Sequence, residues 1–353
     1  MITIYNDRHY RHQGKLEMFR GDMVPCFEVA DRAERVLAEL RRRRLGAVRE
    51  PDLADERVSQ AVGGVHAGRY LEFLRGAWDE WVALDPQNRH RDALPSVWPV
   101  RGMRSDRLPD NFAARLGLFS FDVGTPLTAG TWDAAWGGAA CAVSAAGQLL
   151  AGERSAFALT RPPGHHAGRD FFGGYCFINN AAVAAQALRD GGVERVAIVD
   201  VDYHHGNGTQ EIFYRRADVL FASIHGDPAT EYPFFLGYPD EQGEGEGLGY
   251  NLNLPLPHGT GFPAWREALS TALHAVADFR AGALVVSLGL DTFRGDPISG
   301  FQLDSEDYVV IGEMLASLRL PTVFILEGGY ALEAIGENAI NVLDGFDSLS
   351  SGL

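Results

Sequence analysis

Cysteine is scarce in this chain of 353 residues: Cys26, Cys141 and Cys176 are the only three, and no two of them form a Cys-x-x-Cys pair. Neither a disulfide scaffold nor a thiolate zinc cage is suggested, and a reducing, cytoplasmic setting is expected. Long hydrophobic runs are missing too. No window approaches the roughly 18 apolar residues of a membrane span, and Met1 to Tyr10 carries Asp7, Arg8 and His9 where a signal peptide has its apolar core. Neither membrane association nor export by such a peptide is expected. Positive charge is in deficit: the formal net charge is -16, and Arg41 to Arg44 is the sole basic run, read as the solvated end of a helix starting near Val29. Without a positive face for phosphates, a nucleic-acid partner is not expected. The acidic balance instead favours the approach of cationic substrates.

What is present is the material of a globular core, with 46% hydrophobic and 22% charged residues. From about residue 155, short apolar runs alternate with helical patterns, the signature of βαβ units building a parallel α/β sheet. Strands are expected at Ser155–Thr160, Val193–Asp200, Val219–His225, Ala283–Leu290 and Thr322–Leu326. Their runs are continuously apolar because helices would cover both faces. Helices are expected at Cys26–Leu40, Thr131–Leu150, Phe177–Arg189, Gly208–Arg215, Pro263–Arg280, Glu306–Leu318 and Leu332–Leu343. Residues 11–25 and about 85–130 do not fit this rhythm. The second stretch reads as an inserted segment that packs on something, its Trp98, Phe112, Phe119 and Phe121 arguing against disorder.

In parallel α/β sheets ligands bind beyond the carboxyl ends of the strands, and the unusual polar residues fall there. Arg161-Pro-Pro-Gly-His165-His166 follows one strand, Asp200-Val-Asp202-Tyr-His204-His205-Gly-Asn207 another, Asp291 a third and Glu327-Gly-Gly-Tyr330 a fourth. An extended backbone places residues 200, 202 and 204 on one face, so Asp202 and His204 reach one metal ion, with Asp291 as third ligand. One nitrogen and two carboxylates leave positions open for water and substrate, as a catalytic zinc requires. The tandem His165 and His166 read as acid–base groups, each needing an orienting partner on its remote nitrogen, a role open to Asp200 and Asn207. Tyr330, after a flexible diglycine, swings its hydroxyl towards a developing oxyanion.

The motifs RPPGHHAG (161–168), GGYCFINNAAVAA (173–185), DVDYHHGNGTQEIF (200–213), SIHGDP (223–228), SLGLDTFRGDPISGF (287–301) and EGGY (327–330) resemble those of the arginase–deacetylase superfamily. The likeness is to class II-like histone deacetylases, and most of all to their bacterial polyamine-deacetylating branch, over nearly the whole chain. It implies a single domain over 1–353 with a mostly parallel sheet, helices on both faces and the active site at the C-terminal strand ends. It also implies zinc, or iron, on Asp202, His204 and Asp291, with His166 as general base and then acid. His165 with Asp200 would assist electrostatically, Tyr330 would complete the oxyanion hole, and Asn207 stands where some members have a second Asp. Gly174 and Tyr175 would form one channel wall and Tyr232 the other. The resemblance further implies structural potassium at Asp200, Asp202, His204, Ser223 and Ile224, and again at Phe213, Arg216, Val219 and Tyr250.

Insertion 85–130 is similar to a loop that forms a homodimer and narrows the channel against bulky protein substrates. Where members of that branch carry glutamates for a cationic amine, this chain has Ala113 and Gly124, leaving Asp122, Asp110 and Glu17 as substitutes. Ile298 stands where a eukaryotic polyamine deacetylase has a gatekeeping Glu. The resulting expectation is a metal-dependent amidohydrolase that deacetylates small acetylated amines such as acetylputrescine, acetylcadaverine and acetylspermidine. The alternative is a lysine deacetylase acting on peptides or proteins. An arginase-like ureohydrolase with two manganese ions and an inactive acetyl-ligand sensor are the remaining readings; the tandem His165-His166 and Tyr330 favour deacetylation.

Overall fold

The computed structural model describes residues 1–350. Eight strands form one parallel sheet: β1 (Ile2–Ile4), β4 (Ala47–Arg49), β5 (Ser155–Ala158), β6 (Val196–Asp200), β7 (Val219–Gly226), β8 (Asn251–Leu256), β9 (Ala283–Leu288) and β10 (Thr322–Leu326). Their order is β4-β1-β5-β10-β9-β6-β7-β8. A separate antiparallel pair, β2 (Leu16–Phe19) and β3 (Asp22–Pro25), lies within residues 11–25. The expected α/β fold is present, a single domain with helices on both faces. Side-chain alternation explains the continuous apolar runs. In β5, Ala156 and Ala158 enter one core and Phe157 the other; in β6, Val196 and Ile198 face opposite to Ala197 and Val199.

The first core is closed by α2 (Glu56–Val65), α3 (Gly68–Leu84), α4 (Phe112–Leu118), α5 (Thr131–Leu150) and α6 (Asn180–Asp190). The second is closed by α1 (Asp31–Arg43), α8 (Phe262–Phe279), α9 (Asp307–Ala316) and α10 (Ile335–Ser350), while α7 (Asn207–Phe213) leads from β6 towards β7. Strand β10 and helix α5 fall where periodicity put them; the other expected elements shift at their ends by a few residues. Helix α10 runs seven residues past its expected end at Leu343, to Ser350, and the largest shift of a start is at α1. It starts at Asp31 rather than Cys26, because Glu28 turns inward to accept from Arg32 Nη1 (2.9 Å) and Arg161 Nε (2.8 Å), a buried pairing that holds this stretch outside the helix. The helix then runs to Arg43, so three of the four arginines of the basic run form its last turn.

Strands β1, β4 and β8 and helices α2 and α3 carry no expectation from periodicity. The first two strands have only three residues, too few for a pattern to register. Segment 85–130 is not featureless: it contains α4, whose Phe112 stacks near Trp81 and Phe73 of α3, and Trp98 Nε1 donates to Ser120 Oγ (3.1 Å).

Candidate active site and metal centre

The four strands that deliver the polar residues, β5, β10, β9 and β6, are neighbours at the middle of the sheet. Their carboxyl ends therefore converge, and Asp202, His204 and Asp291 bring one ligand atom each to within 4.8 Å of one another. His204 Nδ1 lies 3.0 Å from Asp291 Oδ2 and 3.4 Å from Asp202 Oδ1. Strand alternation is not what aligns Asp202 with His204, because β6 ends at Asp200. The chain turns there instead: Asp202 N donates to Asp200 Oδ1 (3.1 Å) and His204 N to Asp202 Oδ1 (2.9 Å), side-chain turns that aim both ligands inward. Burial opposes charge on His204, but its bonds to Asp202 and Asp291 raise its pKa to about 10. Two buried carboxylates around one imidazole nitrogen mark a place built for positive charge. A borderline-soft divalent cation with open positions fits this donor set.

His165 Nδ1 donates to Asp200 Oδ2 (3.0 Å) and His166 Nδ1 to Asn207 Oδ1 (2.6 Å), the two partners read from the sequence. Burial disfavours the charged form of both rings, yet their outcomes differ. The carboxylates of Asp202 and Asp200 outweigh burial at His165 and raise its pKa to about 10. At His166 the positive charge of His165 and His204 adds to burial and drives it well below the ordinary value. His166 is thus neutral, with its proton on Nδ1 and a lone pair on Nε2. Glu327 locks the segment beneath, its Oε2 accepting from Gly164 N (2.5 Å) and His165 N (3.1 Å).

His166 and His204 floor a pocket of about 350 Å³ whose walls include Glu17, Met18, Phe19, Asp122, Gly174, Tyr175, Tyr232, Phe234, Ile298 and Tyr330. Gly174 (φ +54°) is obligatory, since a Cβ there would lie 2.2 Å from the His166 ring. Tyr175 holds a left-handed conformation (φ +67°), pinned by Thr125 Oγ1 accepting from its N (2.9 Å) and Glu17 Oε1 accepting from its hydroxyl (2.7 Å). The Tyr232 hydroxyl and Gly174 N both donate to Asp122 Oδ2, each at 2.7 Å, so one carboxylate ties the two walls together. Asp110 and Ala113 are exposed around the start of α4 and outside this lining, so Asp110 is withdrawn as a channel acid; Glu17, Asp122 and Gly124 are within it.

Asp200 is paired in register with Ser223, and both are buried with Ile224. Phe213, Arg216, Val219 and Tyr250 frame the turn from α7 into β7, where Arg216 N donates to Phe213 O (2.9 Å) and Phe221 N to Tyr250 O (3.0 Å). Residues not singled out from sequence also hold the site, above all Arg32 and Asp296. Arg32 donates to Gly329 O (2.6 Å) and Glu327 O (2.5 Å), and its guanidinium lies 4.7 Å over the Tyr330 ring. Asp296 Oδ2 accepts from Tyr330 N (2.7 Å). The diglycine is therefore no free hinge. Sequence patterns do not flag residues that act on distant backbone atoms, although Asp296 stands inside the motif 287–301.

A parallel α/β fold whose four central strand ends bear this cluster has the architecture of an enzyme that works at the carboxyl ends of its strands. The profile of the histone deacetylase domain matches residues 26–346, and the chain belongs to that family. It is 53% identical over 350 residues to acetylpolyamine amidohydrolase 2 of Pseudomonas aeruginosa, covering 99% of both chains. It is 46% identical to the acetylpolyamine amidohydrolase of Mycoplana ramosa, covering 98% of this chain and 99% of the other. The crystal structure of an acetylpolyamine aminohydrolase from Burkholderia pseudomallei superposes with a TM-score of 0.93 at 41% identity, covering 99% of each.

Proposed function

We propose that this protein removes acetyl groups from small acetylated amines, foremost acetylpolyamines, giving acetate and the free amine with a zinc ion on Asp202, His204 and Asp291. The observation that carries the reading is geometric: His166, its Nδ1 bonded to Asn207 Oδ1 (2.6 Å), lines the pocket beside the Asp202, His204 and Asp291 cluster, while His165, bonded to Asp200 Oδ2 (3.0 Å), packs against it from beneath. When bound, zinc supplies Lewis-acid chemistry, polarising an amide carbonyl and acidifying water towards a pKa of ~7. His166 Nε2 takes the proton of the attacking water and returns it to the leaving nitrogen. Asn207 keeps the other proton on Nδ1, so the lone pair always faces the pocket. Charged His165 stabilises negative charge as it develops, and the Tyr330 hydroxyl donates to the oxyanion.

Several observations support a small, cationic substrate. The pocket is narrowed by Tyr175 and Tyr232 and holds the carboxylates of Glu17 and Asp122, and the relatives named above carry polyamine names. Exposed Val97, Val100, Met103 and Leu108 in the inserted segment suit a homodimer contact. Potassium in the two oxygen-lined sets around β7 would be structural. A cytoplasmic location belongs to the same proposal, the three cysteines being free thiols as a reducing compartment keeps them. The test is kcat/KM for acetylputrescine, acetylcadaverine and acetylspermidine against an acetyl-lysine peptide, using zinc-loaded protein. Preference for the free polyamines is expected; preference for the peptide would keep the chemistry and replace the substrate class.

A further inference from the structure

The reacting end of the pocket is closed by residues 327–330, a segment that carries two glycines and yet has little freedom. Gly328 N donates to Asp202 Oδ2 (2.8 Å), and a Cβ at Gly328 would lie 2.5 Å from that oxygen. Gly329 adopts φ +117°, and a Cβ on it would meet Leu290 at 2.9 Å. Arg32 holds the carbonyls of Glu327 and Gly329 from one side. On the other side the only hold on the backbone of Tyr330 itself, among the described contacts, is Asp296. Its Oδ2 accepts from Tyr330 N at 2.7 Å, while Oδ1 accepts from Ile298 N at 3.1 Å. Asp296 is 8% exposed, and its own N donates to Phe293 O (3.0 Å), which closes the turn that follows Asp291.

From this geometry we propose that Asp296 is a positioning residue for catalysis: it sets the Tyr330 hydroxyl by fixing the tyrosine's backbone nitrogen to the turn that follows Asp291. The path is short. Asp291 and Asp296 belong to the same turn after β9, and one hydrogen bond crosses from it to Tyr330, so the phenol is registered against the acidic cluster by two links. A donor is effective only at the position the oxyanion will occupy, and a misplacement of about 1 Å costs on the order of 100-fold in rate. Burial of the Asp296 carboxylate with both oxygens satisfied by backbone N–H groups gives the rigidity this task needs. The proposal rests on Tyr330 being the oxyanion donor, and the experiment tests the two ideas separately.

The experiment compares zinc-loaded wild type, Asp296→Ala, Asp296→Asn, Tyr330→Phe and the Asp296→Ala/Tyr330→Phe double variant on acetylputrescine, recording kcat, KM, zinc per chain and thermal midpoint. Asp296→Ala is expected to lower kcat by about 10- to 100-fold with KM and zinc content unchanged. Asp296→Asn is expected to fall between it and wild type, since one amide oxygen can accept from only one of the two N–H groups well. In the Tyr330→Phe background the Asp296 change is expected to cost under about twofold, because there is no hydroxyl left to position. The same fold-loss in both backgrounds, or a fall in zinc content that parallels kcat, would overturn the proposal. If Asp296→Ala does not fold, Asp296→Asn carries the same comparison in both backgrounds. Full activity in Tyr330→Phe would overturn the donor role, and with it the proposal, whatever Asp296 does.

Discussion

Glu17 offers a test of how the pocket reads charge. It is 1% exposed, lies against the pocket behind the Tyr175 hydroxyl, and burial raises its pKa from the ordinary 4.5 to about 7. Bonds from Tyr175 and Phe27 N pull the value down, while the neighbouring Asp122 and Glu28 carboxylates push it up. A carboxyl with a raised pKa is neutral below that value and charged above it. With the midpoint at about 7, the ionised fraction rises from about 0.1 at pH 6 to about 0.9 at pH 8, while a substrate ammonium with pKa ~10 stays charged throughout. If attraction to that cation follows the ionised fraction, its advantage over a neutral isostere grows by up to about tenfold, or ~1.4 kcal/mol, across this window. The assay is kcat/KM for acetylputrescine divided by that for N-pentylacetamide, measured every half unit from pH 6 to 8. The quotient cancels the titration of groups that serve both substrates. Glu17→Gln should flatten the rise. A quotient that is level in the wild type, or that rises equally in Glu17→Gln, refutes the reasoning.

His166→Ala and Tyr330→Phe should each lower kcat by ~100-fold or more while zinc stays bound; substantial turnover by His166→Ala removes the acid–base assignment. Asp202→Ala and Asp291→Ala should lose metal, measured as zinc per chain after dialysis, and chelation of wild type should abolish activity that added zinc restores. Met103→Asp combined with Val100→Asp should convert a dimer into a monomer by light scattering, and a monomeric wild type would end that reading. Phe157→Ala, in the fully buried middle of β5, should cost ~3–5 kcal/mol of unfolding free energy in urea.

The apolar runs of β5, β6, β7, β9 and β10 are legible in the sequence because strands buried on both faces leave no polar alternation. The chemistry at their ends is legible for a related reason, since His, Asp and Tyr are conspicuous directly after such runs. Short edge strands are not legible: three residues of β1 or β4 carry no periodicity, and only pairing with a neighbour makes them strands. The start of α1 is set by a contact more than a hundred residues away in the chain, Glu28 with Arg161, which no local propensity encodes.

By itself, then, the sequence determined the fold class, the candidate metal-ligand set Asp202, His204 and Asp291, and Asp200 and Asn207 as candidate partners of the two histidines, because residue types near strand ends are local facts. It did not determine the order of the strands, and it is that order, β5-β10-β9-β6, that makes four separate ends one site. Nor did it determine the fate of the diglycine. Read locally, two glycines are a hinge; in the folded protein, side chains from three other segments, Asp202, Arg32 and Asp296, bond to the backbone of this stretch and remove that freedom. The charge states of the two histidines were decided in the same way, since each depends on how many carboxylates and cations the fold places around a buried ring.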